Sequence, residues 1–122
     1  AHSFKIANMS RAIETLSSIP LSTLSFGAVC LLTYIAQKLF NLNLNHFTMN
    51  PRAVLYQHEY YRVITSSFFH GSLMHIGMNM LSYMTLGKSL EKKFGTLFMT
   101  FTVAYSVLMT SVIYILIALG NN

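Results

Sequence analysis

Charged side chains are scarce in this sequence. Only 9% of its 122 residues are charged, and Asp and Glu together number three, whereas 53% are hydrophobic. A water-facing surface usually carries about 25 to 35% charged residues. This deficit excludes an ordinary soluble domain and predicts an integral membrane protein. The net charge of +5 comes from basic residues scattered between apolar blocks, whereas a nucleic-acid partner would require them clustered, so none is expected.

Cysteine is almost absent as well, since Cys30 is the single example. An intrachain disulfide is therefore impossible, and the redox compartment is not indicated. A redox or metal module using His70 and His75 is the least favoured hypothesis. Five residues on one helix would set these side chains ~140° apart, and no Cys or acid lies near them in the sequence. Neither a metal nor a cofactor is expected.

Three stretches contain uncharged runs long enough to cross a bilayer, which requires about 20 apolar residues in a helix. They predict transmembrane helices at residues 21–40, 71–94 and 97–119. A long loop follows the first helix, and a short turn joins the second to the third. Ser72 is a plausible N-cap for the second helix, and Gly95 a left-handed terminator. The second and third helices should be antiparallel neighbours, because only a few residues connect them. A cleavable signal peptide is the disfavoured alternative for the first helix.

Two further segments flank the first span. Residues 1–20 are predicted to be a cytosolic juxtamembrane helix, with the remnant of a targeting region as the alternative. Residues 41–70 mix polar and aromatic side chains, which predicts a long first loop lying at the membrane interface.

Basic residues favour the side of the N-terminus by five to three, which places it in the cytosol. An endoplasmic reticulum or other endomembrane is favoured, with the mitochondrial inner membrane as the alternative.

Polar residues interrupt the second apolar stretch at helical spacing. His75 and Asn79 are four residues apart and therefore share one helix face, which Ser82 continues. Two N–H donors in a dry environment stabilise a developing negative charge, as an oxyanion hole does. A His and an Asn that bond a neighbouring helix would give the same pattern. Both interpretations stay open on these residues alone.

The far end of the same helix carries Gly87, Glu91 and Gly95. Each step of four residues drifts ~40° around a helix, so Glu91 serves a different face from His75 and lies in the opposite leaflet. We expect a structural role for Glu91, as an ion pair or as a cap for loop amides near Lys92 and Lys93. Gly87 would let another helix or loop come close.

The order and spacing of these residues resemble the rhomboid family of intramembrane serine proteases. The resemblance rests on Tyr61-Arg62, His70-Gly71, His75, Asn79 and Leu90-Glu91 within Gly87-x-x-x-Glu91-x-x-x-Gly95. It implies an all-α membrane protein, with three transmembrane helices of a rhomboid-like bundle and a long interfacial first loop. It also implies that His75 and Asn79 are the oxyanion-stabilising pair, and that Arg62, His70, Gly87, Glu91 and Gly95 are structural. Tyr61 stands where the family has tryptophan.

Members of that family use a serine in a Gly-x-Ser-Gly turn and a histidine on a later helix. The 122 residues contain no Gly-x-Ser-Gly and no His after His75. We therefore expect the N-terminal part of a rhomboid-type protease, inactive alone, whose partners are membrane lipids and transmembrane protein substrates. The alternative is a non-catalytic rhomboid-like subunit, derlin-like or structural, of a larger membrane protein complex.

Overall fold

The computed structural model describes residues 2–121, which are helical and contain no strand. The helices are α1 (His2–Ser17), α2 (Leu21–Leu39), α3 (Pro51–Tyr56), α4 (Arg62–Thr65), α5 (Leu73–Phe94) and α6 (Thr96–Gly120), with one 3₁₀ turn at Leu44–His46. Helices α2, α5 and α6 begin and end within two residues of the predicted spans at 21–40, 71–94 and 97–119. The all-helical class is thus confirmed.

Helix α6 is long and apolar enough to cross a bilayer. Helix α2 meets that criterion only together with α1, from which it is bent by 114°, and α5 does not meet it. The polar residues within α5, together with the charged residues of its last turns, explain the difference. The described residues therefore have the character of a helical membrane protein with one clear apolar span, while membrane crossing by α2 and α5 stays a prediction.

The three long helices pack against one another in alternating directions. The start of α2 contacts the end of α5, where the Thr23 N–H donates to Glu91. The end of α2 lies near the start of α5, where Gln37 donates to the carbonyl of His70, just before α5 begins. Helix α6 then runs back along α5, because Gly87 faces Met99 while the early part of α5 shares a cavity with Ser111. This agrees with the predicted antiparallel pair.

Gly95 is the whole connection between α5 and α6. Its φ of 93° and ψ of 163° fall in a region reserved almost entirely for glycine. Its N–H donates to the Glu91 carbonyl over 2.8 Å, and α6 begins at the next residue. At the other end of α5, Ser72 Oγ accepts the His75 N–H over 3.1 Å, as the predicted N-cap should.

The first loop folds back onto the bundle. Arg62 is buried and donates from Nη1 to the carbonyls of Asn45 and Thr48, over 2.7 and 2.9 Å, while its Nε bonds Glu59. Ser111 Oγ of α6 donates to a carbonyl in α4 over 3.0 Å. These bonds hold the short helices of the loop above the start of α5.

Candidate functional site

The polar groups of α5 form two separate clusters. One, here called the carboxylate end, consists of Glu91 with Ser22 and Thr23 of α2. The other, here called the cavity end, contains His75 and Asn79. Both lie on α5, but the side chains differ in burial and in hydrogen bonding.

At the carboxylate end, Glu91 is buried and accepts three hydrogen bonds from α2. Its Oε1 accepts the Ser22 N–H over 2.8 Å, and its Oε2 accepts the N–H and the hydroxyl of Thr23 over 2.7 and 2.6 Å. Helix α2 starts after Pro20, which has no side-chain oxygen to cap it. A carboxylate at a helix N-terminus bonds the free amides and complements the helix dipole. Glu91 therefore caps α2 from 68 residues away along the chain.

The expected partners of Glu91 were wrong. Lys92 and Lys93 are exposed, and their loop amides are not what the carboxylate bonds. Within residues 2–121 the one ion pair joins Arg62 to Glu59. The reason is that the Glu91 side chain faces into the bundle toward the free amides of α2, whereas the adjacent lysines are exposed. Glu91 is therefore a cap, as one of the two expected interactions, but for α2 and not for the loop near Lys92 and Lys93.

Gly87 lies one turn before Glu91, with Thr23 of α2 and Met99 of α6 both against it. A Cβ atom at this position would lie 3.0 Å from Thr23 Cγ2 and 3.1 Å from Met99 Cε. The Thr23 side chain cannot move away freely, because its hydroxyl is bonded to Glu91. Helix packing at this level thus depends on the missing side chain, which is the kind of close approach that small residues allow.

At the cavity end, His75 and Asn79 are exposed and line a cavity of about 420 Å³. Helix α6 supplies Ser106, Thr110 and Ser111 to the same cavity, and the loop supplies His70. Sequence reasoning missed the α6 hydroxyls, although three of them within six residues of an apolar helix are a detectable signal. These polar side chains share a largely apolar lining with residues such as Phe26, Met49 and Phe69.

The side chains of His75 and Asn79 make no hydrogen bond to any other group within residues 2–121. The alternative, in which this pair bonds a neighbouring helix, does not occur among the described residues. Both side chains face the cavity, with their donors unused.

His70 lies beside His75, which the sequence argument did not anticipate. The two rings meet edge to face with centroids 5.2 Å apart. The expected separation of ~140° assumed one continuous helix, but α5 begins at Leu73, so His70 precedes it. Two imidazoles are short of a metal site, and no group of three or more potential metal ligands occurs in the described part of the chain.

The environment of His70 favours its neutral form. Its ring is buried, and its Nδ1 donates to the Phe68 carbonyl over 3.0 Å. Burial lowers the pKa of His70 below its ordinary value, and the nearby His75 lowers it further, while the bond to Phe68 acts in the opposite direction. Gln37 fixes the backbone here by donating to the His70 carbonyl over 2.9 Å.

Fold and site together define a helical membrane protein whose second long helix carries a bonded carboxylate at one end and unused donors at the other. The Rhomboid domain model matches residues 57–122, which include α4, α5 and α6. The chain belongs to the rhomboid family. The match includes Arg62, His70, His75, Asn79 and Glu91.

Three curated relatives are similar to this chain. Rhomboid-like protein 15 of Arabidopsis thaliana is 28% identical over 103 residues, which cover 84% of this chain and 26% of that protein. Derlin-1 of Arabidopsis thaliana is 33% identical over 85 residues, covering 69% and 32% respectively. Rhomboid-related protein 4 of Rattus norvegicus is 30% identical over 86 residues, covering 62% and 27%. The chain thus spans about a quarter to a third of the length of these relatives, and no solved structure matches it.

Proposed function

We propose that this chain is the N-terminal part of a rhomboid-type intramembrane serine protease and supplies the oxyanion-stabilising half of its site. The observation that supports this most is the cavity end, where His75 and Asn79 line one cavity and leave their donors unused. Family membership supports the reaction class, serine acylation of transmembrane substrates. This chain is inactive by itself in the proposal, because it contains neither the serine turn nor the later histidine.

In the proposed reaction, a serine from the rest of the polypeptide attacks the substrate carbonyl and its proton passes to the base histidine. The carbonyl oxygen gains negative charge as the tetrahedral intermediate forms. Asn79 Nδ2 and a ring N–H of His75 donate hydrogen bonds to that oxygen. Both donors lie on one turn of α5 and line the same cavity.

The remaining helices of such a protease need a surface against which to pack. An apolar cavity of about 630 Å³ lies between α2 and α6, lined by residues such as Phe26, Val29, Val103 and Leu108. It is open, and its walls are largely hydrophobic side chains. In the proposal, α2, α5 and α6 are the first three spans, and the later spans cover this side of the bundle.

Replacing the amide tests the assignment. We expect Asn79→Ala to lower turnover of a transmembrane substrate between about 10- and 1000-fold in the full-length protein, because it removes a transition-state donor. Stability should stay near the parental value, since the Asn79 side chain bonds nothing in the described chain. Turnover is measured on a reconstituted substrate, with unfolding in detergent measured in parallel.

Ser82→Ala is the matched control. It removes another polar side chain from the same helix and outside the cavity lining, so turnover should stay close to the parental rate. If Asn79→Ala cleaves as fast as the parent, the oxyanion assignment is wrong.

A second candidate is a non-catalytic, derlin-like subunit of a larger membrane complex. It is favoured by the similarity to Derlin-1, which is 33% identical over 69% of this chain. The intact mass and full sequence of the native polypeptide separate the candidates, followed by labelling with a serine-reactive fluorophosphonate. A labelled Gly-x-Ser-Gly serine supports the protease, whereas a native polypeptide without that serine supports the subunit and excludes the first proposal.

A further inference from the structure

Helix α1 carries an apolar stripe whose side chains are exposed in the described chain. Ile6, Met9, Ile13 and Leu16 follow one another at steps of three and four residues, which place them within ~80° of arc. Each is about half exposed, from 47% for Ile6 to 61% for Met9. All side chains described in α1, residues 3–17, are exposed. The stripe is therefore available to something outside the chain.

The base of α1 is fixed at the carboxylate end of the bundle. Lys88 Nζ of α5 donates to Ser18 Oγ over 3.2 Å, and four residues later the Ser22 N–H is bonded to Glu91. Between these two bonds the chain turns by 114°, with Pro20 in an extended conformation. Helix α1 consequently leaves the end of the bundle closer to perpendicular than to parallel with α2.

Charge at this end of the bundle is mostly positive. Lys88, Lys92 and Lys93 lie at the end of α5, while α1 carries Lys5, Arg11 and the single acid Glu14. The carboxylate of Glu91 is already used by α2. Lys5 borders the stripe, from which a long side chain can reach a headgroup, and Arg11 lies on the opposite half of the helix. An anionic surface complements this arrangement.

We propose that α1 is an interfacial helix that lies in the plane of an anionic bilayer surface. Its stripe enters the boundary between headgroups and acyl chains, and its basic residues bind phosphate-bearing headgroups. The proposal rests on the membrane crossing by α2 proposed above, because a perpendicular helix at the end of a span lies along the membrane. It assigns lipid as the partner of a surface that is exposed in the described chain.

Fluorescence at matched positions tests this orientation. In the native polypeptide, with Cys30 and any other cysteine replaced by Ala, single cysteines at Met9→Cys, Thr15→Cys or Ile113→Cys are labelled with an environment-sensitive dye. Met9 belongs to the stripe and Thr15 to the opposite face, while Ile113 is an exposed residue of α6 outside both cavities. The protein is reconstituted in phosphatidylcholine vesicles with or without phosphatidylserine. Quenching is measured with nitroxide lipids and with aqueous iodide.

We expect shallow nitroxide lipids to quench the dye at position 9 and iodide to quench it at position 15. Phosphatidylserine should increase the lipid quenching at position 9. Lys5→Gln and Arg11→Gln should each reduce that increase, by about fivefold in partitioning for each charge removed. Ile13→Asp should lower the embedded fraction about tenfold, because it puts a charge into the stripe.

Other outcomes overturn the inference in distinguishable ways. Equal iodide quenching at positions 9 and 15 means that α1 lies free in water. Protection of position 9 from iodide without lipid quenching means that a second copy or another protein covers the stripe. Failure of deep nitroxide lipids to quench position 113 would remove the proposed membrane crossing itself, whereas quenching there with none at position 9 removes only the role of α1.

Discussion

Glu91 and Asn79 lie twelve residues apart on the same helix, and their surroundings differ in every respect. Glu91 is buried and accepts three hydrogen bonds from α2. Asn79 is exposed to a cavity and bonds no other group in the described part of the chain. A buried carboxylate with full hydrogen bonding stabilises the fold, because its loss leaves the donors bonded to it without an acceptor.

The two residues illustrate two roles that a polar side chain can have in a largely apolar helix, one in packing and one in binding or chemistry. The carboxylate end uses its polar atoms to close the bundle, so substitutions there should act on folding. The cavity end leaves its donors unused within the described chain, so under the proposed function substitutions there should act on chemistry and leave folding nearly intact. Each prediction below tests one side of that division.

The largest effect on stability is expected for Glu91→Ala. This change leaves the part-buried Ser22 amide and the buried amide and hydroxyl of Thr23 without their acceptor. At about 1 to 3 kcal/mol for each buried group, the free energy of unfolding should fall by about 3 kcal/mol or more. Equilibrium unfolding in detergent, followed by circular dichroism, measures the loss. Glu91→Gln should lose less, since its amide oxygen still accepts a hydrogen bond.

Glu14→Ala is the matched control, because it removes the same side chain from an exposed helix position. Its effect should stay within about 0.5 kcal/mol. If Glu91→Ala were as mild as Glu14→Ala, the carboxylate end would not be what holds α2 to α5, and the contrast between the two ends would disappear.

Gly87→Ala should have the next largest effect. The added methyl would meet Thr23 and Met99 at 3.0 to 3.1 Å, and overpacking of this kind costs about 1 to 3 kcal/mol. Gly77→Ala is the comparison in the same helix, because a Cβ there meets nothing within 4 Å. It should be neutral or stabilise by up to about 1 kcal/mol through helix propensity. Equal effects of the two changes would contradict close packing at Gly87.

Local features of this fold could be predicted from the sequence. The uncharged stretches and their capping residues placed α2, α5 and α6 to within two residues, because both signals are local in the sequence. Ser72 and Gly95 marked the ends of α5 because capping depends on neighbours three or four residues away. Spacing also grouped His75 with Asn79, since four residues define one helix face.

Long-range features could not be predicted. The bond from Glu91 to α2 joins residues 68 apart, and helical spacing gives no information about which neighbouring helix a side chain faces. The contact of His70 with His75 was missed because a single helix was assumed across residue 72, where the chain is extended. The polar wall from α6 depends on how α5 and α6 are rotated, which composition does not set.

The smallest predicted effect is a pH dependence at the cavity end. Burial lowers the pKa of His70 in the folded protein below its ordinary value near 6.5. The unfolded chain therefore takes up the proton first as pH falls, and linkage then favours unfolding. Stability should decrease from about pH 6.5 downward, and this contribution should stop growing once pH passes the lower pKa of the folded state.

His70→Gln isolates that contribution, since glutamine remains polar and does not titrate. Unfolding in detergent at pH 8 and at pH 5 should show a larger loss of stability for the parent than for the variant, because only the parent carries a buried imidazole that resists protonation. Equal losses would place the proton uptake elsewhere in the chain.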